Sequence, residues 1–311
     1  MNISVVIPNY NGESLLKKNL PKVIEELKDY KDGKTEIIVV DDGSNDKSIE
    51  VLKGLDEKFG KIKVFENVKN LGFSSSVNKG VMAAAGEIVI LLNTDVYPEK
   101  GFLKPLLEHF KDEQIFAVGC MDKSIEGDKI VLRGRGLGEW KKGFLVHRRG
   151  EVDKTNTLWV SGGSGAFRKS IWDKLSGLNE LYNPFYWEDI DIAYRAQKSG
   201  YKVLFEPKSI VIHSHAEGAI TNKYSAYKVK TISYRNQFIF VWENATDFSV
   251  KLSHVLYLPY YFAKAFLSKD TAFFAGFFKA LILLPKVIKS SSSYHKLFVK
   301  KDSEVIRKYS E

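Results

Sequence analysis

The chain has 311 residues, 44% of them hydrophobic and 27% charged, enough apolar content to bury one large core or a core plus a small second domain. That excludes a disordered or fibrous protein, and the single cysteine, Cys120, excludes an intramolecular disulfide and suits a reducing compartment. The net charge of +9 is unevenly placed: residues 1–219 carry 32 basic and 32 acidic side chains, whereas residues 220–311 carry 15 and 6, so the whole excess lies in the last part.

An apolar strand, Ile3–Ile7, begins almost at once, without the basic segment, apolar stretch and cleavage site of a signal peptide. Export by that route is not expected, and a cytoplasmic home is. Leu15, Leu16, Leu20, Val23, Ile24 and Leu27 then recur at helical spacing. Further strands are predicted over Glu36–Val40, Ile62–Glu66, Ile88–Leu92, Phe116–Gly119, Leu158–Ser161 and Lys202–Phe205, with helices between them. Ser44 and Asp46 are placed to cap a helix through Ile49 and Leu52, and Pro98 suits the first turn of a helix containing Phe102, Leu106 and Leu107. Strands alternating with helices make the fold class α/β, with a mostly parallel sheet flanked by helices. Residues 122–157, rich in glycine, arginine and lysine, read as a β-rich excursion or loop. Its stretch from Arg133 to Arg149 suits an acceptor's phosphate and equally a solvated basic hairpin.

Beyond residue 219 the pattern changes to long helices, which sets a boundary between residues 1–219 and a helical, basic region over 220–311. Phe248–Leu267 and Ala272–Ile288 are dense in leucine and aromatic residues, but lysines and Pro285 interrupt them, so spanning helices are not expected. Helices lying on an anionic membrane surface fit this composition, and a helical pair packed on the rest of the chain or in a homodimer is the other reading. Binding to nucleic acid is not expected, because the basic residues are mixed with apolar runs rather than set on a polar aromatic face.

In open α/β sheets, ligands bind at the carboxyl ends of strands, and four segments fall there. In VVIPNYNG, Val5–Gly12, the strand breaks at Pro8, and Asn9 and Tyr10 offer polar groups and an aromatic face for a base. In IIVVDDGSNDKS, Ile37–Ser48, the adjacent carboxylates of Asp41 and Asp42 suit a pyrimidine N–H or a ribose hydroxyl, and equally a plain turn. In VILLNTD, Val89–Asp95, a buried strand delivers Asp95 to the sheet edge. In the fourth, Gly162, Gly163 and Gly165 permit close approach of a phosphate or sugar, and Trp187-Glu188-Asp189-Ile190-Asp191 opens a helix. Acids in a first turn favour the helix dipole, and Asp191 with Arg195 is an ordinary i,i+4 pair. Carboxylates crowded there are also candidates for a tuned general base.

VVIPNYNG and VVDDGS, together, resemble the family 2 glycosyltransferases. NLGFSSSVNKG extends the likeness, with Asn70, Gly72, Asn78 and Gly80 matching the stretch that lies against the donor in that family. The resemblance covers roughly Asn2–Glu217 and implies a GT-A fold that binds a nucleoside-diphosphate sugar. It implies that Asp95 ends the D-x-D site, contacting Mn2+ or Mg2+, with Asn93 in place of the first acid, and that Asp189, beside Glu188, takes the proton from the acceptor hydroxyl in an inverting transfer. His213 is the metal-ligating histidine so implied, with His215 as competitor. The fine pattern looks like the bacterial rhamnosyltransferase-like branch, whose acceptors are saccharides or lipid-linked sugars of cell-surface polysaccharide. Asn93 supports one alternative, a catalytically weak scaffold that binds a nucleotide sugar. A dinucleotide-dependent oxidoreductase is opposed by IPNYNG, where G-x-G-x-x-G would be needed.

Overall fold

The computed structural model describes residues 1–60, 62–214 and 223–309. Three strands, β1 (Ile3–Asn9), β2 (Thr35–Asp41) and β3 (Ile62–Glu66), alternate with helices α1 (Glu13–Lys28), α2 (Ser48–Phe59) and α3 (Phe73–Ala83), and β4 (Ile88–Leu92) follows. They run parallel in the order β3-β2-β1-β4, with Asn9 of β1 beside Asp41 of β2 at the carboxyl edge. Their apolar runs are continuous because both faces are covered. Ile3, Val5 and Ile7 pack with Leu16 and Leu20 of α1 on one face, while Val6 packs with Val77 and Val81 of α3 on the other.

Beyond β4 the sheet becomes mixed. β5 (Val96–Pro98), helix α4 (Leu103–Glu108), β6 (Ile115–Glu126) and β7 (Lys129–Arg133) precede a separate hairpin of β8 (Gly136–Lys141) and β9 (Phe144–Arg149). β10 (Ser164–Arg168), α5 (Lys169–Lys174), α6 (Glu188–Lys198) and β11 (Lys202–Ser214) follow. β10 inserts antiparallel between β4 and β6, β11 runs parallel to β6, and β5 closes the edge antiparallel to β11. Residues 122–157 are thus β-rich.

Two local expectations are corrected. The strand predicted over Leu158–Ser161 lies instead at Ser164–Arg168. Leu158 and Val160 are buried, as their apolar character requires, but as irregular chain; a side chain at Gly165 would meet Val160 at 2.2 Å, so Val160 packs on the bare backbone of the strand. Pro98 does not open a helix. It ends β5 at the sheet edge, where a missing N–H costs no central ladder bond, and α4 starts at Leu103. Asp46 does accept from the Ser48 amide at the start of α2, whereas Ser44 is turned to Asp41.

The remaining helices are α7 (Ala226–Asn244), α8 (Phe248–Leu267), α9 (Thr271–Tyr294) and α10 (Asp302–Ile306). They share a core with the β8–β9 hairpin and α6: Leu137, Phe144, Trp187, Ile190 and Tyr194 pack with Phe238, Phe240, Phe273 and Val305. A fully buried ion pair, Lys198 to Asp302 at 2.8 Å, ties the end of α6 to α10, and Asp302 also accepts from Tyr194 at 2.7 Å. Large apolar side chains stay exposed along α8 and α9, among them Val255, Leu256, Leu267, Phe278 and Ile282. The stretch Thr271–Leu297 is long and apolar enough to cross a membrane by length and composition, although the lysines and Pro285 led to the opposite expectation.

Candidate active site

A cavity of about 760 Å³ opens at the carboxyl edge of β1, β2 and β4. Pro8, Asn9, Tyr10, Asp42, Asn70, Asn93 and Gly163 line it, together with Glu188 and Asp189 at the start of α6 and with Asp95 and His213.

The strand ends brace one another. Asn9 donates from Nδ2 to Asp41 at 2.7 Å, and Asp41 also accepts from the amide and hydroxyl of Ser44. Asp41 is therefore spent on the frame and does not line the cavity. Asp42 does, while accepting from the amides of Leu71 and Gly72 at 2.8 and 2.9 Å, which sets the Asn70–Gly72 segment against the cavity. Asn78 stands apart: its amide exchanges two hydrogen bonds with the backbone of Leu178, and it faces a different cavity, of about 710 Å³, beyond α3. Gly163 carries its carbonyl to the Asn93 amide at 3.0 Å. A side chain there would meet the side-chain Nδ2 of Asn93 at 2.5 Å, so the bare backbone of Gly163 lets the Asn93 side chain lie against it.

Asp95 and His213 come together from positions 118 residues apart, Oδ2 to Nε2 at 3.3 Å, because β5 pairs with β11. On the other side of the ring, Nδ1 lies 2.9 Å from Asp122. Burial works to lower the His213 pKa, but the hydrogen bonds and charges of Asp122 and Asp95 outweigh it and raise it to about 9. The ring is protonated at neutral pH, and a cation must displace that proton. Asp95 Oδ1 is buried and finds no hydrogen-bond partner among the described residues. An unsatisfied carboxylate oxygen beside an imidazole nitrogen fits a hard divalent cation. No group of three or more such side chains among the described residues could hold an ion, so Asp95 and His213 would share it with oxygens of a ligand. His215 lies outside the described residues. Asp122 was missed by the sequence reading: it belongs to β6, and nothing local marks it as the partner that orients a histidine.

At the opposite wall, α6 starts from Trp187, and Glu188 and Asp189 occupy its first turn. Glu188 is buried, its Oε2 without a partner among the described residues. Burial first, then the charges of Asp189 and Asp191, push its pKa well above the usual carboxylate range. Burial also raises Asp189, to about 6, held from going further by the amides of Ile190 and Gly162. Burial thus raises both neighbouring carboxyl groups, Glu188 further than Asp189, the kind of shift that suits a carboxyl pair to proton transfer. Asp191 points away from the cavity into a buried pair with Arg195 at 2.7 Å, whose other nitrogens donate to the carbonyls of Leu175 and Gly177.

Comparison with known proteins bears on the fold and the family. O-antigen chain rhamnosyltransferase RfbN of Salmonella typhimurium is 26% identical over 222 residues, covering 69% of this chain and 67% of that protein. S. aureus TarS 1-349 in complex with UDP-GlcNAc superposes with a TM-score of 0.61 at 16% identity, covering 99% of this chain and 90% of that one. Mannosyltransferase PcManGT from Pyrobaculum calidifontis, in complex with GDP-Man and Mn2+, gives a TM-score of 0.57 at 16% identity over 99% of this chain and 84% of that one. These solved structures share the GT-A fold. The description Glycosyl transferase family 2 matches residues 4–176, more than half of the chain, and the protein belongs to that family.

Proposed function

We propose that the chain is an inverting, metal-dependent glycosyltransferase that moves a sugar from a dTDP- or UDP-linked donor to a saccharide or lipid-linked acceptor of cell-surface polysaccharide. The observation that carries this reading is that Asp189, Asp95 and His213 line one cavity together with the strand-end residues. Pro8, Asn9, Tyr10, Asp42, Asn70 and Asn93 are placed to receive the nucleoside, and Gly163 the donor's phosphates or sugar. Asp41 and Asn78 serve by holding those elements in place. Asp95 and His213 would hold Mn2+ or Mg2+, whose chemistry when bound is Lewis-acid neutralisation of the leaving diphosphate. The acceptor hydroxyl oxygen attacks the anomeric carbon, the bond from that carbon to the diphosphate breaks, and the hydroxyl proton passes to Asp189. Of the two neighbouring carboxyl groups, Glu188 is the one raised further by burial, which leaves Asp189 as the base. RfbN, a rhamnosyltransferase by name, supports a deoxyhexose among the donors to be tried.

The test is release of nucleoside diphosphate from UDP-, dTDP- and GDP-sugars with Mn2+ or Mg2+, beside Asp189→Asn and a chelator control. Metal-dependent turnover that the variant loses is expected. Silence across the panel and a set of acceptors, with nucleotide still raising the melting temperature, would favour the non-catalytic scaffold that Asn93 allows.

In the same reading, residues 1–219 form the transferase unit, and 220–311 bring it, as a peripheral protein, to the inner face of the cell membrane. Exposed Phe248, Val255, Leu256, Phe266, Leu267, Phe278 and Ile282 lie on α8 and α9 among Lys251, Lys264, Lys269 and Lys279. Apolar side chains bordered by lysines are what an anionic headgroup layer takes up. Flotation with anionic liposomes at low salt should carry the protein upward; a protein that stays at the bottom overturns the membrane reading.

A further inference from the structure

The backbone entering α6 is unusual. Tyr186 and Trp187, two bulky residues in succession, have φ of 71° and 79°. Large L-residues avoid this left-handed region, and such a conformation persists only where the surroundings over-determine it. Glu188 and Asp189 follow directly, so whatever holds this turn also aims the two carboxyl groups.

Helix α3 holds the start of this segment, through the Phe73 amide on the Pro184 carbonyl and Ser74 and Ser75 on the Asn183 side chain, and the groups that hold the carbonyls next to the turn come from α7, outside the segment matched to the family. Asn236 is fully buried, and its Nδ2 lies 2.9, 2.9 and 2.8 Å from the carbonyl oxygens of Tyr182, Phe185 and Tyr186. Arg235 donates from Nη2 to the carbonyls of Tyr182 and Asn183 at 3.2 and 2.6 Å. Arg235 also donates from Nε to Asn236 Oδ1 at 2.8 Å, which decides which end of the amide faces the loop. Two neighbouring side chains thus hold four carbonyls of the segment that ends at the catalytic carboxylates. A buried amide costs free energy unless it is bonded, and the bonds of Asn236 Nδ2 go to this loop. The clasp is firmly backed: a side chain at Gly276 of α9 would meet Tyr234 Cβ at 2.7 Å and the Arg235 amide at 3.0 Å, so α9 lies against this turn of α7.

We propose that Asn236, oriented by Arg235, is a positioning residue of the transfer reaction, fixing the 182–187 loop so that Asp189 starts α6 at the cavity wall. The C-terminal region therefore completes the active site, whatever else it docks to. The inference rests on the transferase reading above.

The experiment uses the full chain and the variants Asn236→Ala, Arg235→Ala and Arg235→Lys. With donor and acceptor, Asn236→Ala should lower kcat about 100-fold, the scale on which misplaced catalytic groups act, while the donor KM and nucleotide affinity stay within about twofold of wild type, since α7 supplies none of the strand-end groups proposed for the nucleoside. Arg235→Ala should act in the same direction more weakly, and Arg235→Lys, which keeps a donor, should recover part of the loss. Hydrogen–deuterium exchange read in parallel should show amides 183–190 exchanging faster, with β1 and β2 unchanged. A folded Asn236→Ala with wild-type kcat, a parallel loss of nucleotide affinity, or faster exchange throughout would overturn the proposal. If Asn236→Ala fails to fold, the kcat and exchange of Arg235→Ala decide by the same criteria. If the wild type turns over no donor, the transferase reading is what fails; exchange confined to 183–190 then still supports the clasp, and unchanged exchange there overturns it.

Discussion

On one wall of the cavity the polar residues sit at the ends of β1, β2 and β4, a few residues past the apolar runs that bury those strands, and neighbouring strand ends bond to each other, as Asn9 does to Asp41. On the other wall Glu188 and Asp189 follow a turn held by α7 from about fifty residues downstream and, through Asn183 and Pro184, by α3. The first wall is a by-product of sheet formation, whereas the second exists only when distant helices dock. Strand-end sites tolerate changes elsewhere; a site assembled across layers inherits the tolerance of every contact between them. The difference also bears on the charges, since burial at the start of α6 raises the pKa of both Glu188 and Asp189.

The comparison breaks most directly at Asp189. Asp189→Asn should lower kcat by roughly 10²- to 10⁴-fold, the range for a positioned general base, and leave nucleotide affinity near wild type. Equal losses of both, measured by steady-state kinetics and calorimetric titration, would mean that the two walls are not separable.

Next in size is Asp122. It touches only His213 at the ion site and should act through it. Asp122→Asn is expected to weaken Mn2+ binding by about 10- to 100-fold, the usual cost of removing a carboxylate that orients a ligating histidine, read from the free Mn2+ resonance with nucleotide present.

The pH dependence sharpens the picture of the buried wall. With a pKa of about 6 against a model-peptide value of 3.8, folded Asp189 binds its proton more tightly than the unfolded chain does. The contribution of Asp189 to stability therefore falls as pH rises between those values, and its cost is complete above about pH 6, at most about 3 kcal/mol. Asp189→Asn should melt higher than wild type at pH 7, with the gain shrinking toward pH 4, while wild-type kcat rises through pH 6. An unchanged melting difference across that range would place the titration elsewhere.

The smallest effect is expected at Gly163→Ala. The added methyl displaces the Asn93 side chain, whose free end is able to swing, so a several-fold rise in donor KM with little change in kcat should follow. A loss in kcat instead would show that Asn93 touches the reacting groups.

Much of the strand-end wall was legible in the chain because burial on both faces writes a strand as an apolar run, and the run's end marks the carboxyl edge. Asp42 and Asp95 were found in this way and Asp189 from the crowding of acids at a helix start, with the family resemblance supplying their roles. Where the rule met glycine it failed: the buried run Leu158–Ser161 packs on Gly165 and the strand begins later. Pro98 was misplaced because a proline starting a helix and one ending an edge strand look alike locally.

The sequence alone determined, through its periodicity, that the chain is α/β, and its motifs resemble the family 2 glycosyltransferases, the family to which the match over residues 4–176 assigns it. Tertiary structure decided that Asp41 and Asn78 are struts, that Asp122 orients His213, and that Asn236 and Arg235 hold the turn into α6. Each of these depends on contacts between residues from about thirty to more than a hundred positions apart, or on a backbone turn that such contacts enforce. Local propensity carries no trace of such pairings, because the free energy that makes them arises only when the layers close and remove the polar groups from water.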